Sequence, residues 1–235
     1  LNKIFSLGVK KDNVYLITHE NTKLNKQLYE YVKFHKIKLS IYDKKNFFGK
    51  IKKFNPDYVF SIYFRKKISV KILEFFHYKA INLHPSYLPN YRGAFSIPWM
   101  IYNGEKYAGF TYHYMNDKFD QGDIIFQKKV KIDKEETSFS LYNKLIIASI
   151  NNLEKAFNRI LLKKKTKQKI NSTYFSRIMP KNCEIKLINK HNENYKIIRA
   201  SYFPPYKPSF LKEGSNLIYF DSIKKYKDYV KKLKI

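Results

Sequence analysis

Cysteine is almost absent: the 235-residue chain holds one, Cys183. A single thiol excludes an internal disulfide and any multi-cysteine metal site. Long apolar runs are missing too. None approaches the roughly 18–20 residues that span a bilayer, and the opening stretch, LNKIFSLGVKKDN, is too polar for a secretory signal. A cytoplasmic protein without a membrane partner is expected. Acidic residues are scarce, 19 against 47 lysines and arginines, which leaves a formal net charge of +28. Arginine is scarce as well. Only Arg65, Arg92, Arg159, Arg177 and Arg199 occur, so 42 of the 47 basic residues are lysine. Arginine is the side chain suited to bidentate phosphate and base contacts, and a surface selected for nucleic acid holds more of it. Lysine, asparagine, isoleucine, tyrosine and phenylalanine are abundant together, as an AT-rich coding sequence gives. The charge therefore reads as compositional drift on a solvated surface, whose field still attracts an anionic substrate.

Apolar residues make up 44% of the chain and aromatics 17%, enough for a sizeable core. The length suits one large domain, or one with a small appendage. VYLIT (14–18), IKLSIY (37–42), PDYVFSIYF (56–64) and KAINLH (79–84) read as strands. They alternate with helical spacing over 21–36, where Asn21 is a possible cap, and over 69–76. Continuous apolar strands separated by helices predict an α/β fold, Rossmann-like, with a mostly parallel twisted sheet and flanking helices. Residues 107–115 and 122–132 alternate at period two and predict antiparallel strands. Residues 137–162 predict one long amphipathic helix capped by Thr137 or Ser138. The lysine run 163–169 predicts a boundary, followed by a small α+β extension.

One stretch differs in character. KAINLHPSYLPNYRGAFSIPWMIYNGE (79–105) gathers three of the eight prolines and the only tryptophan, and Gly93, Gly104, Gly109 and Gly122 fall within it or just after. Such crowding of geometrically demanding residues points to a fixed backbone. Asn82 and His84, two apart at the end of a strand, share one face. That face, at the carboxyl end of a parallel strand, is where open α/β sheets build their sites. Asp120 follows in a loop that Gly122 lets turn back. Each has an ordinary reading alone: a structural histidine before a proline, an asparagine holding a turn, a polar loop. Together, an amide, an imidazole and a carboxylate are a minimal set for acyl transfer to an amine, stabilising an oxyanion and moving protons. Trp99 and Met100 read as core, and Gly109, Thr111 and His113 as strand residues supporting Asp120.

Asn-x-His-Pro-Ser (82–86), Pro-x-Tyr-Arg-Gly (89–93), Gly-x-Thr-x-His-x-Met (109–115) and Asp-x-Gly-Asp-Ile (120–124) occur in order. In this the chain closely resembles the folate-dependent formyltransferases over residues 56–145, and more loosely before them. The resemblance implies a catalytic core over 1–165 and an extension over 166–235 that contributes to nucleotide binding or dimerisation. It implies 10-formyltetrahydrofolate as formyl donor, with no metal. Asn82 is implied as oxyanion donor, and His84 as a protonated group that moves protons and stabilises the oxyanion. Asp120 is implied as the carboxylate that raises the histidine's pKa, with a water relay taking the amine proton. Arg65, Lys66 and Lys67 are candidates to border the pterin. The loop with Asp117, Gly122 and Asp123 would close the folate slot.

The acceptor amine divides the family. A glycine-rich phosphate loop is lacking after the first strand, which disfavours glycinamide ribonucleotide. Only about 65 residues follow the lysine run, which disfavours the methionyl-tRNA branch with its larger C-terminal domain. IIRASYFPPYKPSF (197–210) resembles the segment that follows the core in sugar N-formyltransferases. Phe203 and Tyr206 are candidates to stack on a base, Arg199, Lys207 or Lys67 to meet a diphosphate, and Ser86 is a further substrate candidate. Ala94 stands where the UDP-4-amino-arabinose branch has arginine. The expected substrate is therefore a dTDP-linked amino-dideoxy sugar, first dTDP-4-amino-4,6-dideoxyglucose and second the 3-amino isomer, for surface polysaccharide or O-antigen synthesis by a homodimer. The alternatives are a methionyl-tRNA formyltransferase-like enzyme, or a non-catalytic nucleic-acid-binding protein on this scaffold.

Overall fold

A computed structural model describes residues 1–20, 25–64, 66–169 and 173–233. The chain folds as two compact units, Leu1–Asn82 and Leu83–Ile235. In the first unit strands and helices alternate as expected: α1 (Asn2–Ser6), β1 (Tyr15–Thr18), α2 (Lys26–Phe34), β2 (Lys38–Ile41), α3 (Phe47–Phe54), β3 (Val59–Ile62), α4 (Val70–Phe75) and β4 (Ala80–His84). β1 and β2 pair in parallel from Tyr15↔Lys38 to Thr18↔Ile41. Val32, Phe47, Ile51, Ile72, Leu73, Ala80 and Ile81 are buried and form the apolar interior. The proposed cap Asn21 lies outside the described residues. The spacing carries no clear helical signal over α3, because Gly49 and three lysines dilute the repeat of Phe47, Ile51 and Phe54. Burial of Phe47 and Ile51 overrides that weak propensity.

The second unit takes over within β4. It holds β5 (Arg92–Gly93), α5 (Ser96–Asn103), β6 (Tyr107–Tyr114), β7 (Ile124–Lys131), α6 (Ser138–Asn151), α7 (Leu153–Leu161), β8 (Tyr174–Phe175), β9 (Glu184–Ile185), α8 (His191–Ser201), β10 (Ser209–Glu213), β11 (Asn216–Phe220) and α9 (Ile223–Lys232). β6 and β7 are antiparallel as expected, with a register break between Tyr112 and His113. A break of this kind re-aims the next side chain, and here that side chain is His113. Met100 lies in a buried cluster with Ile97, Ile101, Leu141 and Leu145. A second cluster joins Ile197 and Ile198 of α8 to Leu211, Phe220 and Tyr226.

The single helix expected over 137–162 is two. Thr137 caps α6 in a reciprocal pair with Ser140. α6 then ends at Asn152, which leaves helical geometry (φ −111, ψ 8) while its Nδ2 donates to the Ala148 carbonyl at 2.9 Å. An asparagine that satisfies a terminal carbonyl competes with helix continuation. Among the described residues no helix is long and apolar enough to cross a membrane.

Candidate active site

β4 presents Asn82 and His84 on one face. His84 is buried and Asn82 half-buried, while Leu83 between them packs into the opposite side. The imidazole is fixed by its Nε2, which faces the Tyr91 carbonyl at 2.8 Å. A carbonyl only accepts, so Nε2 carries the proton and donates it. Nδ1 is left to exchange protons, and it lies 3.6 Å from Asp120 Oδ2. Asp120 sits in the β6–β7 loop with φ +55, a left-handed backbone for a non-glycine residue. Its Oδ2 accepts the Gly93 N–H at 2.8 Å. Its Oδ1 is 3.6 Å from His113 Nε2, and His113 Nδ1 in turn lies 2.8 Å from the Tyr114 carbonyl. Two histidines, each anchored on a backbone oxygen, thus flank one carboxylate.

The electrostatics follow from burial and these partners. Burial alone would raise the Asp120 pKa. His84, His113 and the Gly93 N–H outweigh it and hold the carboxyl well below the usual carboxylate range. Burial lowers the His84 pKa. Asp120 and the Tyr91 carbonyl pull it up, as expected of Asp120, but burial outweighs them and the net direction is down. That direction favours the neutral imidazole, with its Nδ1 lone pair beside the Asp120 carboxylate. Arrival of a proton at Nδ1 completes an ion pair.

Glycines make the close approaches possible. A Cβ on Gly122 would fall 1.8 Å from the Tyr114 carbonyl oxygen, and one on Gly93 (φ +91) would fall 2.2 Å from the Phe175 carbonyl oxygen. Thr111 serves the turn after β4. It donates to the Ser86 carbonyl and accepts from Leu88 N–H, tying the His-Pro-Ser turn to β6. Trp99 Nε1 donates to the Ile178 carbonyl at 3.0 Å.

The remaining sequence candidates are placed as follows. Lys66, Lys67 and Asp117 are exposed, and Arg65 lies outside the described residues. Asp123 pairs with Lys165 at 2.9 Å. Ser86 is fully buried, and its hydroxyl donates to the Asn90 carbonyl at 2.7 Å inside its own turn. Arg199 Nη1 donates to the Lys134 carbonyl at 2.7 Å and to the Glu136 carbonyl at 3.3 Å. Phe203 packs edge-on against Phe139 and Tyr142. Tyr206 is exposed, 6.1 Å from Phe203, and Lys207 Nζ lies 5.5 Å over Tyr219. These last residues form a group of their own. Sequence reasoning missed the backbone partners, Tyr91 C=O and Gly93 N–H. Their signal is the Tyr-Arg-Gly motif, of which these contacts use backbone groups. His113, read as support for Asp120, does meet it.

Residues 8–156 match the family of formyl transferases. GDP-perosamine N-formyltransferase of Brucella melitensis biotype 1 is 29% identical over 235 residues, covering 97% of this chain and 89% of that protein. The crystal structure of a 4-N formyltransferase from Francisella tularensis aligns with a TM-score of 0.70 at 28% identity, over 88% of this chain and 85% of that one. WlaRD, a sugar 3N-formyl transferase solved with dTDP and 5-N-formyl-THF, aligns at 0.66 with 27% identity, over 88% and 76%. The parallel β1–β2 pair and flanking helices agree with that shared fold. Matched over more than half its length, the chain belongs to the formyl transferase family.

Proposed function

We propose that the chain moves a formyl group from 10-formyltetrahydrofolate to the amine of a nucleotide-linked amino-dideoxy sugar. The observation that carries this reading is the His84 imidazole, its Nε2 committed to the Tyr91 carbonyl and its Nδ1 facing anionic Asp120. The folate supplies an electrophilic formyl carbon on a nitrogen. Transfer then needs a proton taken from the attacking amine and returned to the nitrogen that departs, which is what a buried neutral imidazole beside a carboxylate can do. His84 Nδ1 accepts the amine proton as the new C–N bond forms. Asp120 stabilises the resulting imidazolium. The Asn82 amide donates to the formyl oxygen as negative charge builds on it. His84 then gives its proton to the departing nitrogen as the old C–N bond breaks, and the site returns to its starting state. Among the described residues no group of three or more His, Cys, Asp or Glu is arranged to hold a metal ion.

The sugar is proposed as a 4-amino one, with dTDP-4-amino-4,6-dideoxyglucose first. The 4-N activity of the Francisella relative favours the 4-position, and WlaRD was solved with dTDP. GDP-perosamine is the second substrate, favoured by the match that runs over 97% of the chain. The ledge at Phe203 and Tyr206 would stack on the base, with Lys207 near the diphosphate and Lys66 and Lys67 toward the folate. Residues 166–235 would serve nucleotide binding or a homodimer contact. The product would feed surface polysaccharide assembly from the cytoplasm. An end-point mass assay with 10-formyltetrahydrofolate tests the reading. Separate tubes hold dTDP-4-amino-4,6-dideoxyglucose, its 3-amino isomer, GDP-perosamine and methionyl-tRNA. A formyl gain on a 4-amino sugar is expected. A gain on tRNA alone would overturn the sugar reading, and a gain on the 3-amino isomer alone would overturn the regiochemistry.

A further inference from the structure

The lysine run KKKTKQK, residues 163–169, contains two residues that are not lysine, Thr166 and Gln168. Both hold the loop that carries Asp120. Thr166 exchanges two backbone hydrogen bonds with Ile124, at 2.8 and 2.9 Å. Gln168 Nε2 donates to the carbonyls of Asp120 at 3.0 Å and Gly122 at 2.6 Å. Thr166 meets the loop through its backbone and Gln168 through its side-chain amide. Lys167 between them is exposed. Shortly after, the chain grips the other half of the site. The Thr173 hydroxyl accepts the Tyr91 N–H at 3.0 Å, the Thr173 carbonyl accepts Arg92 N–H at 3.1 Å, and the Phe175 carbonyl accepts Ala94 N–H at 2.9 Å. The Phe175 ring stacks on Tyr91 at 5.1 Å and 6°.

The residues so gripped are the ones that orient the reacting groups. Tyr91 supplies the carbonyl on which His84 Nε2 rests, and Gly93 supplies the N–H on Asp120 Oδ2. Tyr91 and Asp120, neither of them glycine, hold positive φ (+57 and +55). A backbone in this region relaxes unless its surroundings over-determine it. Gln168 and Thr173 supply the hydrogen bonds that do so.

We propose that Gln168 and Thr173 are positioning residues for catalysis. They hold the Asp120 loop and the Tyr91–Gly93 segment so that His84 Nδ1 and the carboxylate stay in register. Neither touches substrate. The proposal rests on the formyl-transfer reading for its kinetic test but not for its spectroscopic one.

The experiment compares Gln168→Glu, Thr173→Val and Thr173→Ser with the full-length wild-type chain. It measures kcat and KM on the accepted sugar, and the His84 titration by NMR of its ring protons. Gln168→Glu replaces the donor with a carboxylate facing two carbonyls. Its kcat is expected to fall on the order of 10–100-fold, with KM for the sugar near the wild-type value. The His84 titration midpoint is expected to shift away from the wild-type value as Asp120 and the Tyr91 carbonyl, which both pull it up, lose their register with the imidazole. Thr173→Val is expected to move both readouts in the same direction, and Thr173→Ser, which keeps the hydroxyl, to restore them. Should a variant melt much below wild type, both readouts are taken at a temperature where circular dichroism shows it folded. Folded Gln168→Glu and Thr173→Val with wild-type kcat and an unmoved His84 titration would overturn the proposal, as would a change confined to KM. If the wild-type chain formylates none of the sugars, the functional reading fails by itself, and the His84 titrations still decide whether these residues hold the site.

Discussion

Replacing Asp120 with asparagine keeps the shape of the site and removes its charge. The amide oxygen can still accept the Gly93 N–H that now bonds Oδ2 at 2.8 Å, so the loop should keep its course. What is lost is the attraction between the carboxylate and the imidazolium that forms at His84 during transfer. At 3.6 Å and an effective dielectric of about 20, that attraction is roughly 4–5 kcal/mol. This is a ceiling of about 10³ in rate, since every 1.4 kcal/mol or so is tenfold. Asp120→Asn should therefore lower kcat by about 10²–10³-fold while sugar affinity changes little. The His84 titration gives a second readout with a definite sign. Asp120 pulls that pKa up against burial, so the midpoint should fall further below the ordinary imidazole value in the variant. Steady-state kinetics and NMR titration of the same preparation measure both. A variant that turns over at the wild-type rate, or whose His84 titrates at a higher pH, would refute the electrostatic argument.

The remaining predictions concern pH, packing and the nucleotide. Because burial holds His84 below its ordinary pKa and catalysis uses the neutral form, the acid limb of kcat against pH should have its midpoint under about 6.5, and a limb centred above that value would contradict the proposed base. The Asp120 pKa is depressed in the folded chain, so its stability contribution is present above the unfolded value of about 3.9 and fades as pH falls through the folded value. The stability gap between wild type and Asp120→Asn should thus shrink in acid, which chemical denaturation at several pH values would show. Gly122→Ala drives a methyl into the Tyr114 backbone carbonyl and should destabilise by about 1–3 kcal/mol or more, seen as a Tm lower by several degrees; an unchanged melt would mean that the loop adapts freely. Tyr206→Ala, at an exposed ring beside Phe203, should raise KM for the nucleotide sugar and leave kcat largely intact. An unchanged KM would remove the ledge from the binding site.

Side chains with chemistry to do were legible in the sequence, and backbone groups were not. Asn82 and His84 could be placed on one face because strand periodicity is two, and Asp120 could be joined to them by motif order. The direction of the His84 pKa could not be read, because it depends on how completely the imidazole is enclosed. Tyr91 and Gly93 act through C=O and N–H, which every residue carries, so nothing in their side chains announces them. Gln168 hid in a run that reads as a solvated charge stretch, although its departure from lysine was visible. Of the fold, the strands of the first unit were apparent from apolar runs. Helix α3 and the break at Asn152 were not, since each depends on a few buried contacts and one side-chain hydrogen bond rather than on periodicity.

The central claim is that formyl transfer runs through the proton held at His84 Nδ1. Single-turnover transfer by wild type and His84→Ala, with sugar affinity measured alongside by calorimetry, tests it most directly. The account predicts that His84→Ala binds the sugar as wild type does and loses transfer by about 10²–10⁴-fold. Transfer at the wild-type rate by His84→Ala would contradict it.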